Sequence, residues 1–174
     1  MRLNASRTDA KLCVLHATDY LETSLSRDLK QLVILASEGD AAAQNQLGAL
    51  LATGDGAPRD LRASLYWYFE AIRQGYVQAK WNAGSMLVNR EVDLDDGPAL
   101  GMALIEEAAA ANDSSACLFL AHCYHYGTHG KKANRELARY WEVRSADYKN
   151  LKVFDVPSKT IEGIALPPPS LNLE

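Results

Sequence analysis

One short stretch of the sequence, CLFLAHCYHYGTHG at residues 117–130, gathers two cysteines and three histidines. Thiolate and imidazole groups are common ligands of structural zinc, which needs four such groups converging on one point. On a helix, Cys117 and Cys123 would point about 120° apart. Only His122 and His125, three residues apart, would share a face. The spacing therefore does not favour a metal site, and we interpret Cys123 as a small buried apolar residue.

A second pair with chemical potential is Cys13 and His16, one helical turn apart, which could act as a thiolate and its base. Such catalysis also needs a group that orients the base and donors that stabilise an oxyanion. The neighbouring sequence supplies neither, so we predict no catalytic residue, no enzyme activity and no cofactor. The three cysteines are an odd count and are expected to be free thiols.

Overall composition narrows the choice of partner. The chain has 174 residues, 48% of them hydrophobic, and a formal charge of −4, which suits one domain with a continuous core. An acidic balance without a basic stripe argues against nucleic acid. Asp9, Lys11 and His16 interrupt any signal-peptide core, and no segment is long enough for a membrane span. We expect a cytoplasmic protein that binds neither nucleic acid nor membrane.

An internal repeat indicates which elements position these side chains. The segment AQNQLG at residues 43–48 matches AKWNAG at 79–84 after a shift of 36, and ACLFLA at 116–121 after a further 37. A small residue thus recurs at Gly48, Gly84 and Ala121. Glycine inside a helix costs about 1 kcal/mol relative to alanine, so it needs a compensating contact. We expect two helices to press together at these positions.

The second half of each unit repeats as well. Ala71 corresponds to Ala108, and we match the pair Ala63 and Ala71 to Ala138 and Ala146. A fixed period with two amphipathic segments per unit is typical of an α/α solenoid, in which each unit buries its apolar face against its neighbours. The sequence therefore predicts an all-α solenoid of about four helix pairs.

Apolar periodicity predicts where the eight helices lie. They are expected near residues 8–24, 27–38, 41–53, 60–74, 77–89, 97–111, 114–126 and 134–147. Residues 1–150 would form one solenoid, with an atypical capping helix before residue 27. Residues 151–174 contain Pro157 and a triple proline without helical period, which predicts an extended tail. Its apolar content favours docking over disorder.

These units resemble the Sel-one-like repeat (SLR), a relative of the tetratricopeptide repeat. The first full unit carries the pattern at Ala43, Leu47, Gly48, Leu51, Gly54, Gly56, Asp60, Ala63, Tyr66, Trp67, Tyr68, Ala71 and Gly75. The third carries it at Ala116, Leu120, Tyr124, Gly127, Gly130, Ala138, Tyr140, Trp141 and Ala146. The middle unit departs from it, with Arg90 at the loop glycine and Leu104 at the aromatic position, so its loop is expected to take another path.

The resemblance covers residues 27–147 and implies a protein-binding module, either an adaptor or a scaffold. It also implies that the first helix of each pair lines a concave face. The side chains opposite the packed positions of these helices are then the candidates for binding a protein or peptide. They are Asn45, Trp81, Ser85, Val88, Leu118, His122 and His125. The Tyr66 to Tyr68 and Tyr140 to Trp141 aromatics are expected in the core.

Two alternative functions stay open. By analogy within the family, the protein could be a bacterial immunity protein that neutralises a secreted toxin. It could also be an enzyme or metalloprotein that uses Cys117, His122, Cys123 and His125. The oligomeric state and the identity of any partner do not follow from the sequence.

Overall fold

The computed structural model describes residues 27–145, which form seven α-helices and no strand. In chain order they are α1 (Arg27–Glu38), α2 (Ala41–Thr53), α3 (Leu61–Arg73), α4 (Val77–Val88), α5 (Gly97–Ala110), α6 (Ser114–Tyr126) and α7 (Arg135–Ser145). These bounds confirm the predicted all-α class and the predicted helices from residue 27 onward. The predicted helix at 8–24, the pair Cys13 and His16, and the tail from residue 151 lie outside the described residues. None of the seven helices is long and apolar enough to cross a membrane.

Residues with short polar side chains set the starts of these helices. Asp60 Oδ1 accepts hydrogen bonds of 3.0 Å from the second and third amides of α3. Asn134 Oδ1 does the same at 2.9 and 3.0 Å for α7. At the other end, Gly54 closes α2 with a left-handed φ of 80°. A helix N-terminus leaves amides without intrahelical partners, so these caps define where α3 and α7 begin.

Two compact units make up the described chain. Residues 27–113 contain α1 to α5, and residues 114–145 contain α6 and α7. In the first unit, α2 packs against α3 and α4 against α5, with further contacts of α1 with α2 and of α4 with both α3 and α2. In the second unit, α6 packs against α7. One continuous domain over residues 1–150 stays a prediction.

Apolar side chains from successive helices fill the interior of each unit. One cluster in the first unit includes Leu65, Tyr68, Ile72, Ala79, Ala83, Leu87 and Leu104, and another includes Leu29, Leu32, Leu47 and Trp67. The buried residues of the second unit include Ala116, Cys117, Leu120, Cys123, Ala138 and Trp141. Burial of Trp67, Tyr68 and Trp141 confirms that these aromatics belong to the core.

Small residues lie where the helices of each pair cross. A Cβ added at Gly84 would lie 2.8 Å from the carbonyl oxygen of Gly101. At the preceding crossing, a Cβ at Gly48 would lie 2.8 Å from the Tyr68 ring. Ser64 Oγ also donates a 2.7 Å hydrogen bond to the Gly48 carbonyl. The predicted close approach of two helices at Gly48 and Gly84 is therefore confirmed.

The structure corrects the repeat register of the second helices. The caps Asp60 and Asn134 correspond at a shift of 74 residues, not 75. At the same shift, the Tyr66–Trp67 ring pair corresponds to the Tyr140–Trp141 pair. The ring centroids lie 5.2 Å apart with an interplanar angle of 72° in the first pair, and 5.0 Å apart with an angle of 75° in the second. The match of Ala63 to Ala138 is thus wrong by one residue, and Ala138 corresponds to the buried Ser64.

The loop of the middle repeat begins as the other two do. Arg90 has a φ of 57°, in the same left-handed region as Gly54 at 80° and Gly127 at 68°. Arginine adopts this conformation at a cost of about 1–2 kcal/mol that glycine avoids. The change of residue type at Arg90 therefore does not alter the backbone conformation there.

A polar side chain is buried within the first unit. Gln44 Nε2 donates a 3.1 Å hydrogen bond to the carbonyl oxygen of Ala36, in the last turn of α1. Gln44 Oε1 accepts a 2.7 Å hydrogen bond from Gln74, just past the end of α3. A buried amide is stable only when its polar atoms are paired, so Gln44 ties α2 to both neighbouring helices.

Candidate protein-interaction surface

In the first unit, the predicted binding residues are largely engaged in packing. Asn45 Oδ1 accepts a 2.9 Å hydrogen bond from Asn82 Nδ2, which joins α2 to α4. Val88 is only 9% exposed and offers almost no surface to a partner. Trp81 and Ser85 are partly buried. Asn45 thus contacts the following repeat and Val88 lies in the core, while the binding role of the predicted face stays a prediction.

In the second unit, the predicted residues Leu118, His122 and His125 are all exposed. Their spacing of four and three residues places them along one face of α6. Tyr126 continues this face, and its ring centroid lies 4.6 Å from that of His122 and 4.5 Å from that of His125. We call these four residues, Leu118, His122, His125 and Tyr126, the α6 surface.

The α6 surface combines apolar area with groups that form hydrogen bonds. Leu118 is 57% exposed and Tyr126 is 64% exposed, and both are among the large hydrophobic residues most open to solvent. Large aromatic side chains with a polar end are enriched at protein interfaces. The two imidazoles add donors and acceptors next to the phenol ring. Such a surface can hold an apolar anchor of a partner and orient it through polar contacts.

The cysteines and histidines of the 117–130 stretch lie in different environments. Cys117 and Cys123 are buried thiols, whereas His122 and His125 are exposed. Cys123 Sγ instead lies 3.6 Å from Nδ1 of His129. Among residues 27–145, no group of three or more histidines, cysteines or carboxylates could hold a metal ion. The structure thus does not bring together the four residues of the metalloprotein alternative.

Sequence reasoning missed three residues that matter here. Tyr126 follows His122 by four residues, so the same helical periodicity could have added it to the predicted face. Asn82 and His129 gave no comparable signal. Asn82 became visible only as the partner of Asn45, and His129 through its approach to Cys123 in a loop with a φ of 53°.

Comparison with known protein families explains the repeated architecture. The model of the Sel1 repeat matches residues 41–76 and 114–147. These segments contain the helix pairs α2 with α3 and α6 with α7. A comparison with curated proteins found no match.

Two solved structures are similar to this chain. A Sel1 repeat protein from Oxalobacter formigenes shares 29% sequence identity with a TM-score of 0.57, over 71% of this chain and 94% of that one. A protective antigen of uropathogenic Escherichia coli strains, which displays an SLR fold, shares 25% identity with a TM-score of 0.61. That match covers 68% of this chain but only 25% of the antigen.

The described residues share the all-α fold of these SLR proteins, and two of their helix pairs match the Sel1 repeat. The chain carries Sel1 repeats, as its sequence pattern predicted. Sel1 repeats generally mediate protein–protein interactions, and proteins of this class are typically scaffolds without enzyme activity.

Proposed function

We propose that this protein is a non-enzymatic interaction module that binds a protein or peptide partner through the α6 surface. The observation that carries the proposal is the exposure of Leu118 and Tyr126 on one helix face beside two histidines. Trp81 and Ser85 of the predicted face are partly buried, so we assign the principal contact to the last described repeat.

The energetic case rests on apolar area that a partner would remove from water. Burying a leucine-sized side chain is worth about 1.5–3 kcal/mol. A few such anchors commonly carry most of the binding energy of an interface. Leu118 and Tyr126 lie eight residues apart, or about 12 Å along the helix, which is a suitable span for a peptide or a single helix.

The test is affinity capture from native lysate with three forms of the protein. The first is the wild type, the second carries Leu118→Ser and Tyr126→Ser, and the third is a matched control with Ile34→Ser and Leu35→Ser. The control residues are exposed hydrophobics of α1, at 49% and 39%. We expect a partner that the wild type and the control retain and the Leu118/Tyr126 variant loses.

Once the partner is purified, its Kd gives the quantitative result. We expect the Leu118/Tyr126 variant to bind at least about tenfold more weakly, equivalent to about 1.4 kcal/mol. Helicity should match the wild type, because both residues lie on the exposed side of α6. Equal affinity for all three forms would contradict the proposal. The identity of the captured protein would also separate an adaptor from a toxin-neutralising protein.

A further inference from the structure

The contacts between successive repeats in the first unit identify the positions that a following repeat covers. Helix α4 packs against both α2 and α3. On α2, Asn45 bonds to a residue of α4 and Ala52 packs against the core cluster that α3 and α4 share. On α3, Leu65 and Tyr68 are buried in that cluster. These four positions therefore lie at the contact with the next repeat, where Tyr68 also packs against Gly48 of its own helix pair.

The same four positions in the last described repeat are open. Asn45 and Ala52 correspond to Leu118 and His125 at a shift of 73 residues. With the corrected register of 74, the other two positions are occupied by Arg139 and Glu142. We call these four residues, Leu118, His125, Arg139 and Glu142, the stacking face. All four are exposed, so nothing among the described residues covers the stacking face.

The repeat period identifies which segment of the chain follows in register. Helix α4 begins at Val77 and α6 begins at Ser114, 37 residues later. A further step of 37 leads to Leu151, the start of the sequence LKVFDV. Pro157 then falls at the position of the buried Leu120, in mid-helix, where proline is disfavoured. From its sequence, we therefore do not expect the segment in register to form another regular repeat helix.

The length and chemistry of this segment nevertheless suit the stacking face. Six extended residues span about 20 Å, which exceeds the roughly 12 Å length of the α6 surface. Four of the six are apolar, and the other two are Lys152 and Asp155. These carry charges opposite to those of Glu142 and Arg139 on α7. The segment could thus pack its apolar side chains against Leu118 and pair its two opposite charges with those of α7.

We infer that residues 151–156 cover the stacking face of their own chain. Only five residues separate Ser145 from this segment. Such a short connection gives the segment a high effective concentration at the face, on the order of millimolar. A partner that uses the α6 surface must then displace the segment first. The inference concerns the chain alone and does not rest on the proposed function.

The test measures how fast a thiol at position 118 reacts with a maleimide reagent. The background is the full chain with Cys13→Ser, in which Cys117 and Cys123 stay buried. Leu118→Cys is placed in this background, once with the native segment and once with Val153→Ser and Phe154→Ser. We expect the introduced thiol to react at least about tenfold faster in the segment variant. Ile34→Cys on α1 is the control, and its rate should not depend on the segment.

Three results would overturn the inference. Equal rates with both segments would show that residues 151–156 do not protect the face. Protection that weakens on dilution but ignores the substitutions would assign the face to a second copy of the chain. Protection that weakens both on dilution and on the substitutions would show that residues 151–156 of another copy cover the face. Because no partner is added, a failure here is distinct from a failure of the capture experiment.

Discussion

The first and third repeats of this protein share their internal packing but differ in the surface they offer to a neighbour. In both, a side-chain oxygen caps backbone amides in the first turn of the second helix, and a Tyr ring lies edge-on to the neighbouring Trp ring. Where the first has the buried Leu65 and Tyr68, the third has the exposed Arg139 and Glu142. The caps and the Tyr–Trp pair are therefore kept in both repeats, whereas positions at the contact with the next repeat, such as Leu65 and Arg139, differ in burial and charge.

This difference explains why a strong repeat signature says little about function. Residues that pack α6 against α7 must satisfy the same geometry as those that pack α2 against α3. Leu118 corresponds to Asn45, which accepts a hydrogen bond from Asn82 of α4, the first helix of the next repeat. In solenoids, each unit contacts its neighbours through such positions. A change there alters what the repeat binds without altering its fold.

The largest expected effect tests whether the two repeats share their internal core. Trp67→Ala and Trp141→Ala should each lower the free energy of unfolding by about 3–5 kcal/mol, because both remove a large buried side chain. Chemical denaturation monitored by circular dichroism measures this loss. Trp141→Leu should recover part of it, since Leu104 occupies the same position in the middle repeat. A loss below about 1 kcal/mol for either alanine variant would show that the two cores are not equivalent.

A smaller effect on stability should distinguish the helix crossing at Gly48 from the crossing at Gly84. Gly84→Ala should destabilise the protein by about 1–2 kcal/mol, because its Cβ would meet the backbone oxygen of Gly101, which cannot move aside. Gly48→Ala should cost less, because its Cβ meets the Tyr68 side chain and alanine also favours the helix. Thermal melts of the two variants give the ranking. The reverse order would mean that the middle crossing relaxes more easily than its geometry indicates.

The loops provide the next comparison. Arg90→Gly should stabilise the protein by about 0.5–1 kcal/mol, because glycine adopts the left-handed φ without the steric cost of a side chain. The reciprocal change Gly54→Arg should be destabilising by a similar or larger amount. Equilibrium unfolding in urea measures both. A loss of stability on Arg90→Gly would indicate that the arginine side chain makes a favourable contact.

The smallest effect appears only at alkaline pH. Burial raises the pKa of the Tyr68 phenol above its usual value of 10.0, and the charge of Glu91 adds to this rise, while a hydrogen bond with Ser64 opposes it. In the unfolded chain the phenol ionises first, so stability is lost as the pH rises above about 10. Tyr68→Phe should reduce this alkaline loss of stability. Wild-type and variant Tm curves that stay parallel from pH 8 to 11 would contradict the assignment.

The sequence predicts the helices well because their signals are local. Caps, apolar spacing and the small residues at Gly48 and Gly84 depend only on nearby residues and on the repeat. The alignment of the second helices with one another was harder to predict. Alanines such as Ala63 and Ala138 are too frequent in the sequence to identify equivalent positions. The cap at Asn134 marks it correctly, since a cap occurs once per helix.

Site residues could be predicted only where burial follows from the helix itself. The helical periodicity placed Val88 and His125 on equivalent faces, yet Val88 is buried and His125 is exposed. The two side chains differ in how far neighbouring elements bury them, and this depends on tertiary packing. The same limit applies to Asn45, whose partner Asn82 lies 37 residues away.

The buried Gln44 also has a consequence for the order of repeats along the chain. Its side chain requires the carbonyl of Ala36 on one side and Gln74 on the other. In the other two repeats the same position holds Lys80, which pairs with Glu107 at 2.6 Å, and the apolar Cys117. Exchanging one repeat for another would leave a buried polar group unpaired, at a cost of about 1–3 kcal/mol. The buried Gln44 thus favours a first repeat whose neighbours supply the Ala36 carbonyl and the Gln74 amide.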